Sequence, residues 1–164
     1  SYLSVEVRNQ ACLGCHEGTS RTGWHASTHE RADVACTDCH KMHRPEGDAV
    51  LAKKSEAQVC YACHKQQRAD FHKASAHPVR QGLMACSDCH APHGSTSPGI
   101  LKARGPILCQ SCHSQQNHPS FSYGPSNLPG GGGPPVTTLA VGNCMNCHSQ
   151  VHGSNHPSGS TLTR

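Results

Sequence analysis

Apolar residues along this chain follow no sustained period. No long stretch spaces them three and four residues apart, as on one face of a helix, and none alternates them as in a half-buried strand. The pattern therefore predicts short α-helices in a mostly irregular chain, with little or no β-sheet. Only 34% of the 164 residues are hydrophobic, and Phe, Trp and Tyr together number six. The polypeptide alone thus has little apolar surface to offset its conformational entropy, and its length fits a single domain, 1–164.

All twelve cysteines belong to one pattern, Cys-x-x-Cys-His, which occurs six times. Zinc ribbons and disulfide frameworks use similar cysteine spacing, but neither requires a histidine after every second cysteine. The pattern is the c-type haem attachment signature, in which two cysteines bond to one porphyrin and the histidine is the proximal iron ligand. It predicts six covalently bound haem c groups, which would replace the missing core. In chain order the motifs are Cys12, Cys15, His16; Cys36, Cys39, His40; Cys60, Cys63, His64; Cys86, Cys89, His90; Cys109, Cys112, His113; and Cys144, Cys147, His148.

The chain contains an internal repeat of about 45 residues. Residues 24–67 and 71–116 each begin with an aromatic residue and a histidine, followed by a Ser-x-His segment and two motifs, of which the first is extended to Cys-x-x-Cys-His-x-x-His. Each unit would hold two haems. The first motif of the chain looks like the second half of an earlier unit, and the last motif like the first half of a third. A single hexahaem domain with half units at each end is predicted.

Nine histidines lie outside the motifs, and six are needed as distal ligands. Three follow a motif closely and three precede one, and these six are predicted to complete bis-His coordination, which favours low reduction potentials: His43, His93 and His152, and His29, His77 and His118. The remaining His25, His72 and His156 are predicted to lie at the surface or bond propionates, with iron ligation as their alternative. Trp24 and Phe71 are expected to pack against a haem face.

Repeat symmetry predicts which haem each distal histidine serves. His43 follows His40 by three residues, on one face of a helical turn, so it is expected to serve a neighbouring haem. If all ligation is internal, His43, His93 and His152 serve haems one, three and five, and His29, His77 and His118 serve haems two, four and six. In the alternative, His43 serves haem three and His152 binds the first haem of a following subunit, as a link in a filament.

The net charge of +4 describes the polypeptide alone. Twelve haem propionates would bring it to about −8 with ferrous iron and roughly −2 with ferric iron, so no nucleic-acid partner is indicated. The chain has no transmembrane segment. Haem attachment to thiols takes place outside the bacterial cytoplasm, so the protein is expected to be exported and already processed.

Two segments resemble the periplasmic multihaem cytochromes of the Mtr and Dms type, which feed electrons through outer-membrane porin cytochrome conduits. SAHPVRQGLMACSDCHAPHGS is similar to the recurring unit of that family, and CMNCHSQVHGSNHPSG to its C-terminal end. The resemblance, which extends from about His25 onward, implies an elongated haem chain in which the second histidine of CTDCHKMH and CSDCHAPH ligates another haem. The family typically carries ten haems, and this chain carries six motifs. At the level of haem density, the chain also resembles short cytochromes that form extracellular conducting filaments.

These features predict electron transfer without substrate chemistry. The chain would relay electrons between a redox protein donor and acceptor, with a porin conduit or identical subunits of a filament as candidate partners. It would lie in the periplasm, at the outer membrane or outside the cell. Two alternatives stay open: a filament subunit, and a multihaem reductase, which would need an iron with an open coordination position. No catalytic residues are predicted.

Overall fold

The computed structural model describes residues 3–16, 18, 23–42, 51–113, 115–116, 118–119, 144–146 and 148–157. Within these ranges the chain forms seven short α-helices joined by turns and irregular segments. They are α1 Val5–Leu13, α2 Thr28–Arg31, α3 Cys36–Cys39, α4 Glu56–Cys60, α5 Lys65–Asp70, α6 Cys86–Cys89 and α7 Gly105–Gln110.

Other regular structure is sparse in these segments. Two 3-10 turns span Pro98–Ile100 and Cys144–Asn146, and two strands of two residues each, β1 Gln115–Gln116 and β2 His118–Pro119, pair antiparallel. The predicted fold class, short helices in a mostly irregular chain with little or no β-sheet, is confirmed. Among the described residues, no helix has the length and apolar character needed to cross a bilayer.

We number the motifs one to six along the chain. The helices that carry them are of two kinds. In motifs one, three and five, the first cysteine lies at or near the C-terminal end of α1, α4 or α7. In motifs two and four, α3 and α6 begin at the first cysteine and end at the second. The two kinds pack in pairs: α1 with α3, α4 with α6, and α7 with the turn at Cys144–Asn146.

Helices α3 and α6 begin and end for the same local reasons. Asp38 and Asp88 accept hydrogen bonds, at 2.9 and 2.8 Å, from the backbone N–H of the alanine that precedes each helix. The chain then becomes extended at the motif histidine, with φ and ψ of −115° and 142° at His40. The helical turn expected to carry His40 and His43 on one face is therefore absent, because α3 ends at Cys39. His43 itself lies outside the described residues.

The chain returns to motifs two and four after each of them. Leu51 and Leu101 form isolated bridges with His40 and His90, respectively. The residue after each leucine donates its N–H to the carbonyl of the second motif cysteine, at 2.8 and 2.9 Å. Both motifs are therefore held by the same backbone arrangement.

Buried apolar side chains are few in the described part of the chain. They are Trp24, Ala35, Val59, Phe71 and Val79, with exposures between 1% and 8%. So small a set offsets little conformational entropy, as the composition led us to expect. The two largest members, Trp24 and Phe71, occupy equivalent positions in the two repeats.

Candidate haem-binding sites

All six motifs share one local backbone geometry. In each, the N–H of the motif histidine donates to the carbonyl of the first cysteine at 2.9 Å. This bond closes one turn, so the two cysteines, three residues apart, lie on the same side of the turn and the histidine follows at its end. None of the eleven described cysteines forms a disulfide; Cys147 lies outside the described residues.

Four motif histidines each face a second histidine from a distant part of the chain. The ring centres of the four pairs lie 6.0 to 6.2 Å apart. Two pairs are near-parallel, with 24° between the ring planes, and two are near-perpendicular, at 67° and 68°. The near-parallel pairs are His40 with His93 and His90 with His152; the near-perpendicular pairs are His64 with His29 and His113 with His77.

This separation fits a metal ion held between the two imidazoles. A bond from metal to imidazole nitrogen is about 2 Å long, and the ring centre lies roughly 1 Å behind the nitrogen, so two axial imidazoles have centres about 6 Å apart. The four pairs therefore have the spacing of axial ligands on opposite sides of one iron. In every pair, one member directly follows a Cys-x-x-Cys attachment turn.

Hydrogen bonds at Nδ1 leave Nε2 available as the ligand atom. His29 donates from Nδ1 to the carbonyl of Pro92, and His77 to that of Val151, both at 2.8 Å. His90 donates in the same way to the carbonyl of Gly99 at 2.9 Å. A carbonyl only accepts, so Nδ1 carries the proton and Nε2 keeps its lone pair. At His152, burial lowers the pKa, which favours the neutral ring that coordinates a metal.

Two equivalent arrangements, which we call clamps, hold the distant histidines. The first clamp joins residues 23–29 to 92–94, and the second joins 70–77 to 151–155. An aromatic side chain meets one distant histidine edge-on in each: Trp24 contacts His93 with centres 6.5 Å apart, and Phe71 contacts His152 at 5.5 Å. Both aromatic rings thus contact the imidazole of a candidate ligand, and their packing against a haem face stays a prediction.

A glycine follows the distant histidine in each clamp. A Cβ atom at Gly94 would collide with the carbonyl of Gly23, and one at Gly153 with the carbonyl of Asp70. Gly94 also has a φ of +111°, in the region that favours glycine. Both glycines therefore allow the two chain segments of a clamp to approach each other closely.

The attachment sulfurs of successive motifs lie side by side. Burial raises the pKa of Cys36, and the sulfur of Cys12 raises it further. A hydrogen bond to Cys86 raises the pKa of Cys60. Burial raises the pKa of Cys109 to about 11, and the neighbouring Cys144 contributes to this shift. The second cysteines of motifs two and three interact electrostatically, and so do those of motifs four and five. The neighbours, in chain order, are Cys12 and Cys36, Cys39 and Cys63, Cys60 and Cys86, Cys89 and Cys112, and Cys109 and Cys144. Each motif before the last thus has a cysteine that interacts with a cysteine of the next motif along the chain.

Two buried polar atoms next to attachment turns have no hydrogen-bond partner among the described residues: Nε of Arg8 and Oη of Tyr61. Arg8 lies one helical turn before Cys12, and Tyr61 lies within motif three. Buried polar atoms normally find a partner. Haem propionates carry the acceptors that both atoms lack, so these residues fit the polar edges of attached haems.

Comparisons with known proteins agree with this geometry. A family model described as "Doubled CXXCH motif" matches residues 25–69 and 77–118. The chain is also 37% identical to the "Multiheme cytochrome MtrA" of Shewanella baltica (strain OS185), over an alignment of all of this chain and 63% of that protein. The chain belongs to the doubled-CXXCH family of multihaem c-type cytochromes. The chain spans about 63% of the length of the curated relative it matches.

The facing ring pairs differ from the predicted assignment of histidines to individual motifs. His93 was assigned to haem three and His152 to haem five, but their rings face His40 of motif two and His90 of motif four. His29 and His77 were assigned to haems two and four, but they face His64 of motif three and His113 of motif five. The prediction required His43 to serve a haem of this chain, and that requirement shifted the assignments. His152 faces a histidine of its own chain, which does not support the predicted link from His152 to a following subunit.

The other predicted histidines are placed less fully. His25 bonds Glu30 through Nδ1 at 3.1 Å and is 71% exposed, and His72 is exposed. His156 donates its backbone N–H to the hydroxyl of Ser154 at 3.0 Å. His118 is described only by the backbone of β2. His16 and His148, the histidines of motifs one and six, do not belong to the four pairs of facing imidazoles.

Sequence reasoning missed the backbone that positions the ligands. In each clamp, one histidine donates to the carbonyl of the residue directly before the other histidine. His29 bonds Pro92, which precedes His93, and His77 bonds Val151, which precedes His152. A signal was present in the sequence, because glycine directly follows both His93 and His152. Sequence reasoning also missed Glu56 and Asn9, whose side chains form hydrogen bonds between paired motif helices.

Proposed function

We propose that this chain conducts electrons along six bis-His c-type haems, one attached at each motif. The observation that carries the proposal is the set of four imidazole pairs at the separation of axial ligands. When bound, each haem iron alternates between ferric and ferrous states and so accepts and releases one electron. The interactions between cysteines of successive motifs support transfer in sequence order, from motif one to motif six.

We propose a specific ligand map for the four central haems. His40 and His93 hold haem two, His64 and His29 haem three, His90 and His152 haem four, and His113 and His77 haem five. Each clamp then supplies a distal ligand to both haems of one repeat, which supports the division into two-haem units at 24–67 and 71–116. The chain is proposed as one domain built of these units.

The same offset bears on His43, whereas the distal ligands of haems one and six are proposed from the histidines that remain. His93 and His152 each face the motif that lies two before their own, so the equivalent His43 is proposed to serve a haem outside these six. The proximal ligands of haems one and six are His16 and His148. His118 is proposed as the distal ligand of haem six, with His156 as its alternative.

The cellular setting is proposed from the likeness to the Mtr family. The chain would act in an exported respiratory pathway, in the periplasm or at the outer membrane, between a redox protein donor and acceptor. A porin conduit is the proposed membrane partner. A filament is not supported by the ligand geometry, because His152 faces His90 of the same chain.

Mass spectrometry and EPR spectroscopy of the haem-loaded protein test the proposal together. We expect a mass increment of six covalent haems and a ferric spectrum that is wholly low-spin. Fewer haems would contradict the count of six. A high-spin signal that binds nitrite or another small ligand would contradict bis-His coordination and favour the reductase alternative.

A further inference from the structure

Glu56 joins the two helices that carry motifs three and four. It is the first residue of α4, and its side chain reaches Ser87 in α6. One carboxyl oxygen accepts from the backbone N–H of Ser87 at 2.7 Å, and the other from the Ser87 hydroxyl at 2.6 Å. Both oxygens act as acceptors, as those of a carboxylate do, and the side chain is fixed and only partly exposed.

The same carboxylate lies beside two attachment sulfurs. One of its oxygens and the sulfurs of Cys60 and Cys86 all lie within 4.8 Å of one another. Three such donors could hold a metal ion, but both sulfurs become thioethers when haems three and four are attached. In the haem-loaded protein, Glu56 would therefore place a negative charge beside the sulfurs that hold these two haems.

The other two motif helices have no negative charge at the equivalent place, four residues before the first cysteine: α1 has the cation Arg8 there and α7 has Gly105. Between α1 and α3 the crossing residue is Asn9, whose Oδ1 accepts from the N–H of Cys36 at 2.9 Å and whose Nδ2 donates to the carbonyl of Val34 at 3.0 Å. In α7, Gly105 stands four residues before the first cysteine, as Glu56 does in α4, and it has no side chain to offer. Among the described residues, the first junction thus carries a neutral amide beside the cation Arg8, and the central junction carries a carboxylate.

The aspartates near the motifs do not produce this difference. Asp38 and Asp88 occupy the same position in α3 and α6, and each accepts from the alanine before its helix. They act equally on haems two and four. Glu56 is therefore the negative charge of the central junction, where the first junction has Asn9 and the cation Arg8.

We propose that Glu56 lowers the reduction potentials of the haems attached at Cys60 and Cys86 relative to those at Cys12 and Cys36. Ferric haem carries one more positive charge than ferrous haem, so a nearby carboxylate stabilises the ferric form and opposes reduction. Partial burial limits screening by solvent and salt. Haems three and four therefore accept electrons after haems one and two. This inference rests on the proposed function, because it requires haems at both sulfurs.

Spectroelectrochemical titration of the haem-loaded chain tests the inference. Glu56→Gln removes the charge and keeps an oxygen that accepts from Ser87, so we expect two of the six potentials to rise. Glu56→Asp retains the charge and should leave them near the wild-type values. Glu6→Gln is the matched control, because Glu6 is exposed on the helix of motif one, and its titration curve should not change. Haem content of each variant is counted by mass spectrometry.

Each outcome separates this inference from the proposed function. Six low-spin haems with an unchanged curve in Glu56→Gln would overturn the role of Glu56 alone. Fewer than six haems in the wild-type protein would instead count against the proposed function. If Glu56→Gln itself loses haem, Asn9→Asp decides: two lowered potentials at the first junction would support the inference, and unchanged potentials would overturn it.

Discussion

The two clamps reach the same geometry with different side chains. The Nδ1 bonds of His29 and His77 are both 2.8 Å long, although one is made to a carbonyl 63 residues away and the other to a carbonyl 74 residues away. Trp24 fills the aromatic position in the first clamp and Phe71 in the second. What the clamps share is backbone: a carbonyl acceptor, a following histidine and a glycine that permits close approach.

The clamps differ in what closes them. In the second, Ser75 and Ser154 exchange two backbone hydrogen bonds of 3.0 and 2.8 Å, and the side chain of Asn155 accepts from the N–H of Ala74 at 2.9 Å. In the first, Gly94 meets Gly23 directly. The comparison teaches that close backbone approach positions the distal ligands, while the closing contacts are interchangeable. Each clamp also ties together two successive motifs, because its two histidines face different ones.

Loss of all haems should abolish both clamps together. With every cysteine changed to alanine, no haem remains to separate the paired imidazoles, and the small buried apolar set cannot offset chain entropy. We expect far-UV circular dichroism of this apoprotein to show no cooperative thermal transition, in contrast to the haem-loaded protein. A cooperative melt in the apoprotein would contradict a cofactor-dependent fold.

Removal of one distal histidine should affect one haem of a defined class. His93→Ala should convert about one-sixth of the haem to a high-spin form and remove one near-parallel low-spin EPR signal, because the rings of His40 and His93 are 24° apart. His29→Ala should remove a near-perpendicular signal, since that angle is 68°. His72→Ala, at an exposed side chain, is the control and should change neither. If His93→Ala removed a near-perpendicular signal, the ligand map would be wrong.

The local parts of the sites could be predicted from sequence, and the pairing could not. Attachment turns depend on five neighbouring residues, and the absence of apolar periodicity correctly predicted short helices. The partner of His93 depends on residues 92–94 folding back onto residues 23–29, which no local signal encodes. Repeat symmetry did predict correctly that His93 and His152 behave alike, but the assumption that His43 is internal fixed an offset different from that of the facing rings. The charge difference between Asn9 and Glu56 was invisible until the helix pairs were known.

Alanine at the clamp glycines should weaken the clamps one at a time. A Cβ at Gly94 or Gly153 would collide with a backbone carbonyl of the opposite clamp segment, so each substitution should lower the free energy of unfolding by about 2–4 kcal/mol. Gly82→Ala is the control: its φ is +72° but its Cβ would have open space, so a cost of about 1 kcal/mol is expected. Urea denaturation of the haem-loaded variants measures these costs. Equal costs at Gly82 and Gly94 would show that close approach is unimportant.

The smallest expected effect comes from giving the first clamp the aromatic residue of the second. Trp24 is 7% exposed and contacts His93 edge-on, as Phe71 contacts His152. Trp24→Phe keeps a ring in that position and should cost about 1 kcal/mol, whereas Trp24→Ala leaves a cavity and should cost about 3–5 kcal/mol. Because we assign the indole a packing role, Trp24→Phe should also leave the rate of electron transfer through the chain unchanged. Stopped-flow reduction measures that rate, and a slower rate in Trp24→Phe with all six haems still low-spin would show that the indole takes part in the transfer.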